Sequence, residues 1–292
     1  MSKSKYFSLI VNSSNVANLN NGNNTYQYNF IGGSMTIPEN SEISISSATI
    51  PYSWRNITVS NNNNTYRFYW PLTVSTYTTY TVTMPDGFYS LSDINTFLQN
   101  FCITNGLYLI NSVGQYVYYF SFNLNINYYS VQLISTLVPT ALPVGFTAPS
   151  NWAGYPTTSM APGIGVINAF SGIIGFNIGN YPATFIQATA YSALSNTLVN
   201  ATPVNSITIR CSLCSNNVAV PSDILDSIPI NASYGSNIVY NPSYEKSVTL
   251  RSGTYSNFQL FICDQNNNFI TALDSNILIT LRINIKVPLT KV

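Results

Sequence analysis

An unbroken alternation of apolar and polar residues near the end of the chain constrains the fold more than any other feature. Every second residue from 279 to 287 is aliphatic: Ile279, Leu281, Ile283, Ile285 and Val287. A period of two is typical of a β-strand with one face on a core and the other in water. An earlier apolar row, Phe258, Leu260 and Ile262, is separated from this one by the polar turn 264–268. We therefore predict that the chain closes a sheet with a hairpin.

Shorter alternating rows recur along most of the chain and indicate further strands. They cover residues 7–11, 26–30, 43–50, 66–70, 80–84, 116–126, 129–133, 207–213 and 248–250. The row 116–126 is unbroken and predicts one long strand. Within residues 43–50 the phase shifts at Ser46-Ser47, and one extra residue in a regular alternation predicts a β-bulge.

One segment has the spacing of a helix. Ser90 is suited to cap this helix, and Asp93 in the first turn is favoured by the helix dipole. The apolar stripe comprises Leu91, Ile94, Phe97, Leu98 and Phe101, and Asn105-Gly106 ends the helix. Many strands with a single helix predict an all-β fold. The expected two-sheet arrangement is a jelly-roll sandwich, a single roll with one short helix.

Residues 138–203 differ in character from the rest of the chain. They are rich in Pro, Gly, Ala and Ser and lack a clean period over most of their length. Loops beyond about 15 residues are usually functional or disordered, and the aromatic and aliphatic content argues against disorder. We predict a jelly-roll core of residues 1–137 and 204–292, with 138–203 as an insertion, either a loop or a small β lobe that makes contacts.

Charge is scarce and unevenly placed. Charged residues are 7% of the chain, against about 25% in ordinary soluble domains, and none lies between Asp93 and Arg210. We interpret this middle part as buried against neighbouring subunits; Asn-rich codon bias is the alternative. The Gly- and Ile-rich stretch 161–179 is expected in such a contact rather than in a membrane. The net charge of +1 indicates no nucleic-acid partner, and no apolar run of about 18 residues predicts a transmembrane segment.

Few residues could carry chemistry. The chain has no histidine, which excludes His-based nucleophile systems and metal sites. Cys211 and Cys214 have the spacing of half a zinc knuckle, but a strand that continued through them would place them on opposite faces. The first six residues lack the apolar core of a secretory signal, so we expect an intracellular protein whose four thiols are reduced and structural.

The acidic residues give no stronger signal. Only Glu39/Glu42 and Asp223/Asp226 lie close in sequence, and the turn 264–268 lacks the closing Glu of a calcium loop. Twenty-two tyrosines permit a lectin-like role, although most fall on strand rows. We predict no catalytic, cofactor-binding or metal-binding residue, no cofactor, and a protein that is not an enzyme.

Three stretches together resemble the penton and minor capsid proteins of virophages, polinton-like viruses and related large DNA viruses. They are Ile45-Ser-Ser-Ala-Thr-Ile-Pro-Tyr-Ser-Trp-Arg-Asn-Ile57, Met84-Pro-Asp-Gly-Phe-Tyr-Ser-Leu-Ser-Asp-Ile94 and Leu260-Phe-Ile-Cys-Asp-Gln-Asn-Asn-Asn-Phe269. In that family a strand ends at an Ile-Pro-Tyr-Ser element, a Pro-x-Gly-x-Tyr-Ser turn leads into a helix, and an Asp-Gln-x-x-Asn turn precedes the last strand. The resemblance covers the whole chain apart from residues 138–203.

The resemblance implies a jelly-roll subunit that forms a homopentamer at the fivefold vertices of an icosahedral capsid. Its partners would be neighbouring major capsid protein capsomers, and its location the virion, assembled in the host cytoplasm. The major capsid proteins of these viruses carry two rolls in about twice this length, so that role is not expected. Two alternatives are a minor (cement) capsid protein and a glycan-binding attachment protein, and a β-sandwich hydrolase comes third.

Overall fold

The computed structural model describes residues 3–184, 187–198 and 203–287. This part of the chain contains 21 strands and two helices. In chain order they are β1 (Lys3–Asn12), β2 (Val16–Asn18), β3 (Thr25–Asn29), β4 (Met35–Ile37), β5 (Glu42–Pro51), β6 (Thr65–Pro71), β7 (Tyr77–Thr83), α1 (Leu91–Thr104), β8 (Tyr108–Ile110), β9 (Tyr116–Tyr118), β10 (Phe120–Asn125), β11 (Ser130–Ser135), β12 (Gly163–Val166), α2 (Phe170–Ile174), β13 (Gly179–Tyr181), β14 (Tyr191–Leu194), β15 (Ser206–Cys211), β16 (Ile224–Pro229), β17 (Asn237–Tyr240), β18 (Val248–Thr249), β19 (Gly253–Tyr255), β20 (Asn257–Asp264) and β21 (Leu278–Val287). The fold is all-β, as predicted.

The chain forms two compact units. The first comprises residues 1–54 and 204–292, and the second comprises residues 55–203. In sequence, the second unit therefore lies between strands β5 and β15 of the first.

The first unit is a single jelly roll. One sheet has the order β1-β21-β5-β17, with β18 also paired to β5, and the other has the order β16-β15-β20-β3-β2. Eight of these strands, β1, β3, β5, β15, β16, β17, β20 and β21, are numbered one to eight along the roll. Their order is then 1-8-3-6 in one sheet and 5-4-7-2 in the other, the order of a double Greek key.

Strand β21 is central in its sheet, which explains its strict alternation. It pairs antiparallel with β1 on one side and β5 on the other, and Ile279, Leu281 and Ile283 are buried. The register against β5 skips Ser46, since Thr280 faces Ser47 and Leu281 faces Ile45. The predicted bulge is therefore confirmed, and it keeps the apolar residues before and after it on the buried face.

The predicted closing hairpin is wrong. The turn at 264–268 forms, with the Asp264 amide donating to the Asn268 carbonyl at 2.8 Å. Strand β20, however, pairs with β15 and β3, whereas β21 lies in the other sheet. A jelly roll passes the chain from one sheet to the other at this point, so two apolar rows adjacent in sequence do not pair.

The second unit is built on an aromatic core. Its sheets have the orders β13-β12-β6-β7 and β10-β11-β14, with β8 and β9 as a separate pair. The core cluster includes Tyr66, Phe68, Trp70, Phe120, Phe122, Phe170 and Phe176, together with the apolar face of α1. Tyr66 and Phe170 stack with ring centroids 4.8 Å apart.

Helix α1 forms where the sequence predicted it. The Ser90 hydroxyl accepts a hydrogen bond from the Asp93 amide at 3.2 Å, and the Asp93 carboxylate accepts one from the Ser90 amide at 2.8 Å, which makes a capping box. Leu91, Ile94 and Leu98 are buried. The helix ends before Gly106, whose φ is +66°, and a Cβ at this position would collide with the Asn151 carbonyl oxygen.

The prediction of one long strand over residues 116–126 is wrong. The chain forms β9, which pairs with β8, and then β10, which pairs with β11. Tyr119 and Phe120 are both buried although they are adjacent, so the alternation changes phase between the two strands. Tyr119, the residue between the two strands, packs edge-on against Trp70 in the core, with the ring centroids 6.0 Å apart.

The two units do not follow the predicted partition at every boundary. The predicted boundary between residues 203 and 204 coincides with a boundary between the units, but the one between 137 and 138 lies inside the second unit. Strand β12 pairs with β6, and β14 pairs with β11, so backbone hydrogen bonds join the residues on either side of 137. The assignment of 138–203 as the insertion remains a prediction.

Candidate assembly surface

The second unit is almost free of charge. Arg55, Arg67, Asp86 and Asp93 are the only charged residues between positions 55 and 203. Arg55 Nη1 lies 3.6 Å from Asp86 Oδ2, and Asp93 is engaged in the helix cap. The surface of this unit is therefore made mainly of hydroxyl, amide and apolar groups.

Many large apolar side chains of the second unit are exposed. They are Val59, Leu72, Val74, Val113, Tyr116, Leu124, Ile126, Tyr128, Tyr129, Ile134, Leu142, Val144, Ile167, Ile178, Leu194 and Leu198. Single exposed apolar residues are normal, but extended apolar surface on a neutral background is typical of sites that bind other proteins.

The outer side of the sheet β10-β11-β14 shows this chemistry most clearly. We call it the neutral face and define it by Ser121, Asn123, Asn125, Gln132, Ile134, Ser192 and Leu194, which follow from the strand register. The Asn125 amide donates to Gln132 at 3.0 Å, and the Gln132 amide donates to Ser192 at 2.9 Å. Because these polar groups already bond to one another, a partner can cover the face with little desolvation cost.

The turn between β10 and β11 adds an exposed aromatic tip. Tyr128 and Tyr129 are 65% and 64% exposed, and Ile126 is 76% exposed. Tyr129 has φ of +50°, a conformation that is unusual for a bulky residue. The tip therefore presents two adjacent exposed tyrosines in a strained turn.

Most apolar residues of the stretch 161–179 lie in a core, although Ile167 and Ile178 are exposed, so the apolar composition of the stretch does not by itself indicate a subunit contact. Strand β12 pairs with β6 and β13, and Ile164, Val166, Phe170, Ile174 and Phe176 belong to the core of the second unit. Interior and interface residues share the same composition, so the sequence pattern could not separate the two.

The cysteines are all free and buried. Cys102 lies in the core of the second unit, and Cys263 lies on β20 opposite Thr208. The expectation that Cys211 and Cys214 occupy opposite faces is wrong, because β15 ends at Cys211 and the Cys214 amide donates to the Cys211 carbonyl at 3.0 Å. Within the described ranges, no three Cys, Asp or Glu side chains come together to hold a metal ion.

Of the acidic pairs noted in the sequence, Asp223 and Asp226 form ion pairs in the roll, whereas Glu39 is exposed and Glu42 accepts a hydrogen bond from the Asn284 side chain at 3.2 Å. Asp223 receives two hydrogen bonds from the Arg210 guanidinium, at 2.9 Å each. Asp226 is buried and accepts hydrogen bonds from the Tyr240 hydroxyl at 2.7 Å and from Lys246 Nζ at 3.0 Å. Two neighbouring acids that are held by different cations have a structural role.

A polar cleft of about 470 Å³ lies on the roll, lined by Tyr6, Glu42, Ser44, Tyr244, Glu245, Arg282 and other residues. Burial acts to raise the pKa of Glu245, but hydrogen bonds from Ser46 and Ser44 and the charge of Arg282 outweigh it and hold the pKa below its usual value. This network could not be predicted from the sequence, because its members are far apart along the chain. The Glu245 carboxylate is therefore ionised, and its contacts with Ser44, Ser46 and Arg282 connect it to strands β5 and β21.

Neither helix of the described residues has the length and apolar character needed to cross a bilayer. No family model and no curated protein sequence matches the chain. Among solved structures, the chain is similar to the selenomethionine-labelled penton protein of mavirus, with 12% sequence identity. The match covers 98% of this chain and 100% of that chain, with a TM-score of 0.44.

Proposed function

We propose that this chain is a structural protein of an icosahedral viral capsid and that it forms homopentamers at the fivefold vertices. The observation that carries the proposal is the second unit, in which 149 consecutive positions, 55–203, hold only four charged residues while many apolar side chains are exposed. A neighbour can cover such a surface without stripping water from ions.

A ring of identical subunits suits this surface. Five copies around an axis make heterologous contacts, in which one patch meets a different patch of the next copy, and a fivefold rotation closes the ring. The neutral face and the aromatic tip supply uncharged surface for one side of such a contact.

The three motif stretches support a capsid role. In the structure the first ends strand β5 at Pro51, the second leads through Ser90 into α1, and the third contains the turn after β20. These are the strand end, the turn into a helix and the turn before the last strand that the resemblance implied. The proposal includes major capsid protein capsomers as neighbours, the virion as location and assembly in the host cytoplasm.

The first test is the mass of the assembly by native mass spectrometry. We expect a species of five times the 32.2 kDa chain mass. Ile134→Glu or Leu194→Glu places a charge on the neutral face and should shift the protein toward the monomer. Val218→Glu places the same charge at an exposed position of the roll and should leave the pentamer intact. A wild-type protein that stays monomeric at micromolar concentration would contradict the proposal.

A cement protein beneath the major capsomers is the nearest alternative, and the position of the chain in a virion map distinguishes the two. A glycan-binding attachment protein is a second candidate, favoured by Tyr128 and Tyr129 beside uncharged amides. Tyrosine rings with amide donors suit the apolar faces and hydroxyls of sugars. Binding on a glycan array that is lost in Tyr128→Ala and Tyr129→Ala would favour this candidate.

A further inference from the structure

The turn after strand β15 brings two thiols together. Ser212 and Leu213 occupy the corners of a tight turn, closed by the Cys214 amide on the Cys211 carbonyl at 3.0 Å. The first and fourth Cα atoms of such a turn lie within about 7 Å, which overlaps the range of about 4.4–6.8 Å found in disulfides.

The surrounding strands hold this turn in place. The Ser212 amide donates to the Gln259 carbonyl at 2.9 Å, and the Ser212 hydroxyl accepts from the Gln259 amide at 2.9 Å. The Leu213 carbonyl accepts from the Arg251 amide at 2.8 Å. Because these bonds fix the backbone of the turn, the Cα atoms of Cys211 and Cys214 stay near each other.

The other two thiols are placed differently. Cys102 belongs to the core of the second unit. Cys263 lies near Arg210. Arg210 and Cys211 are neighbours in β15, so their side chains point to opposite faces of the sheet, and Cys263 is on the face of Arg210. Cys211 and Cys214 are thus the pair preorganised for a bond.

We propose that Cys211 and Cys214 form a site of reversible oxidation, at which a low-molecular-weight disulfide such as oxidised glutathione closes an intramolecular disulfide bond. Both thiols are buried, so the reaction takes place when the end of β15 opens locally. One cysteine, as its thiolate, then attacks a sulfur of glutathione disulfide, and one glutathione leaves. The second cysteine attacks the mixed disulfide and releases the other glutathione. The two protein thiols lose two electrons and two protons, and the small disulfide is reduced to two thiols. This proposal does not depend on the capsid role.

The environment makes the reaction slow at neutral pH. The hydrogen bond to Cys211, burial and the nearby carboxylate of Asp223 raise the pKa of Cys214, and the charge of Arg251 opposes them. Since the thiolate is the attacking species, we expect the bond to form faster as the pH rises from about 7 to about 9. In a reducing compartment the pair stays as thiols.

The test is a thiol map of the full-length protein after incubation with oxidised glutathione and alkylation of the remaining thiols. Trypsin cleaves after Arg210 and Lys246, so Cys211 and Cys214 share one peptide, 211–246, that contains no other cysteine. We expect this peptide to lose two hydrogen atoms and both alkylation sites, and dithiothreitol to restore them. Cys102 and Cys263 should remain alkylated.

Two controls make the result specific. The Cys102→Ala variant should still form the disulfide bond between Cys211 and Cys214, and the Cys214→Ala variant should not. The wild-type map is decisive by itself if a variant fails to fold. The proposal is overturned if peptide 211–246 keeps both thiols under conditions that oxidise it in urea, or if the reaction stops at a stable glutathione adduct.

Discussion

Replacement of the buried carboxylate of Asp226 tests how the roll is held together. The side chain is 4% exposed and accepts hydrogen bonds from Tyr240, Lys246 and the Ser227 amide. Asp226 lies on β16, Tyr240 lies on β17, and Lys246 follows β17, so one carboxylate connects a strand of each sheet. Asp226→Ala removes all of these contacts at once.

The exposure of the partners sets the size of the effect. Loss of one member of a fully buried ion pair costs about 3–5 kcal/mol. The Lys246 side chain, however, is 62% exposed and regains water, so the ion pair contributes at most about 1 kcal/mol. Loss of a hydrogen bond from the Tyr240 hydroxyl to a charged acceptor adds about 1.5–3 kcal/mol. We therefore expect Asp226→Ala to lower the free energy of unfolding of the roll by about 1.5–4 kcal/mol, and Asp226→Asn by about 1 kcal/mol.

The measurement is hydrogen exchange of the β16 and β17 amides across a urea series, which reports on the roll separately from the second unit. Glu39→Ala is the matched control, since Glu39 is exposed and its removal should change stability by less than about 0.5 kcal/mol. If Asp226→Ala costs no more than Glu39→Ala, the inference that this carboxylate joins the two sheets is refuted.

Three further predictions follow from single side chains. Ser90→Ala should lower the stability of the second unit by about 1 kcal/mol because it removes the helix cap, whereas exposed Ser92→Ala should have little effect, as measured by urea unfolding. Leu281→Ala should lower the stability of the roll by about 2–5 kcal/mol because Leu281 is buried. Thr280→Ala, on the outer face of the same strand, should lower it by about 0.5 kcal/mol. Equal losses would contradict the register of β21. Glu245→Gln should be less stable than wild type at pH 7, and the difference should shrink as the pH falls below about 4.3. The reason is that a carboxylate with a lowered pKa loses its contribution to stability when it is protonated. A stability difference that does not change with pH in thermal melts would contradict this.

Features with a local cause could be predicted from the sequence. The alternation in β21 reflects a strand with one face on a core, and the capping box and apolar stripe define α1 without reference to the rest of the fold. The bulge at Ser46 is visible because one extra residue changes the phase of the buried positions. Each of these signals lies within about ten neighbouring residues.

Features that depend on distant strands could not be predicted. Strands β20 and β21 are adjacent in sequence but lie in different sheets, and the choice is made by pairing with β15 and β5. The stretch 161–179 has the composition of an interface, and only the pairing of β12 with β6 shows that most of its apolar residues lie in a core. The turn that joins Cys211 and Cys214 depends on where β15 stops, and alternation alone does not mark that point.

The most direct test of the proposed assembly is a cryo-EM reconstruction of the purified wild-type protein. We expect a particle with fivefold symmetry in which the uncharged surface of residues 94–209, including the neutral face, is covered by the neighbouring copy. A monomer, or a ring whose contacts leave that surface in water, would contradict the account.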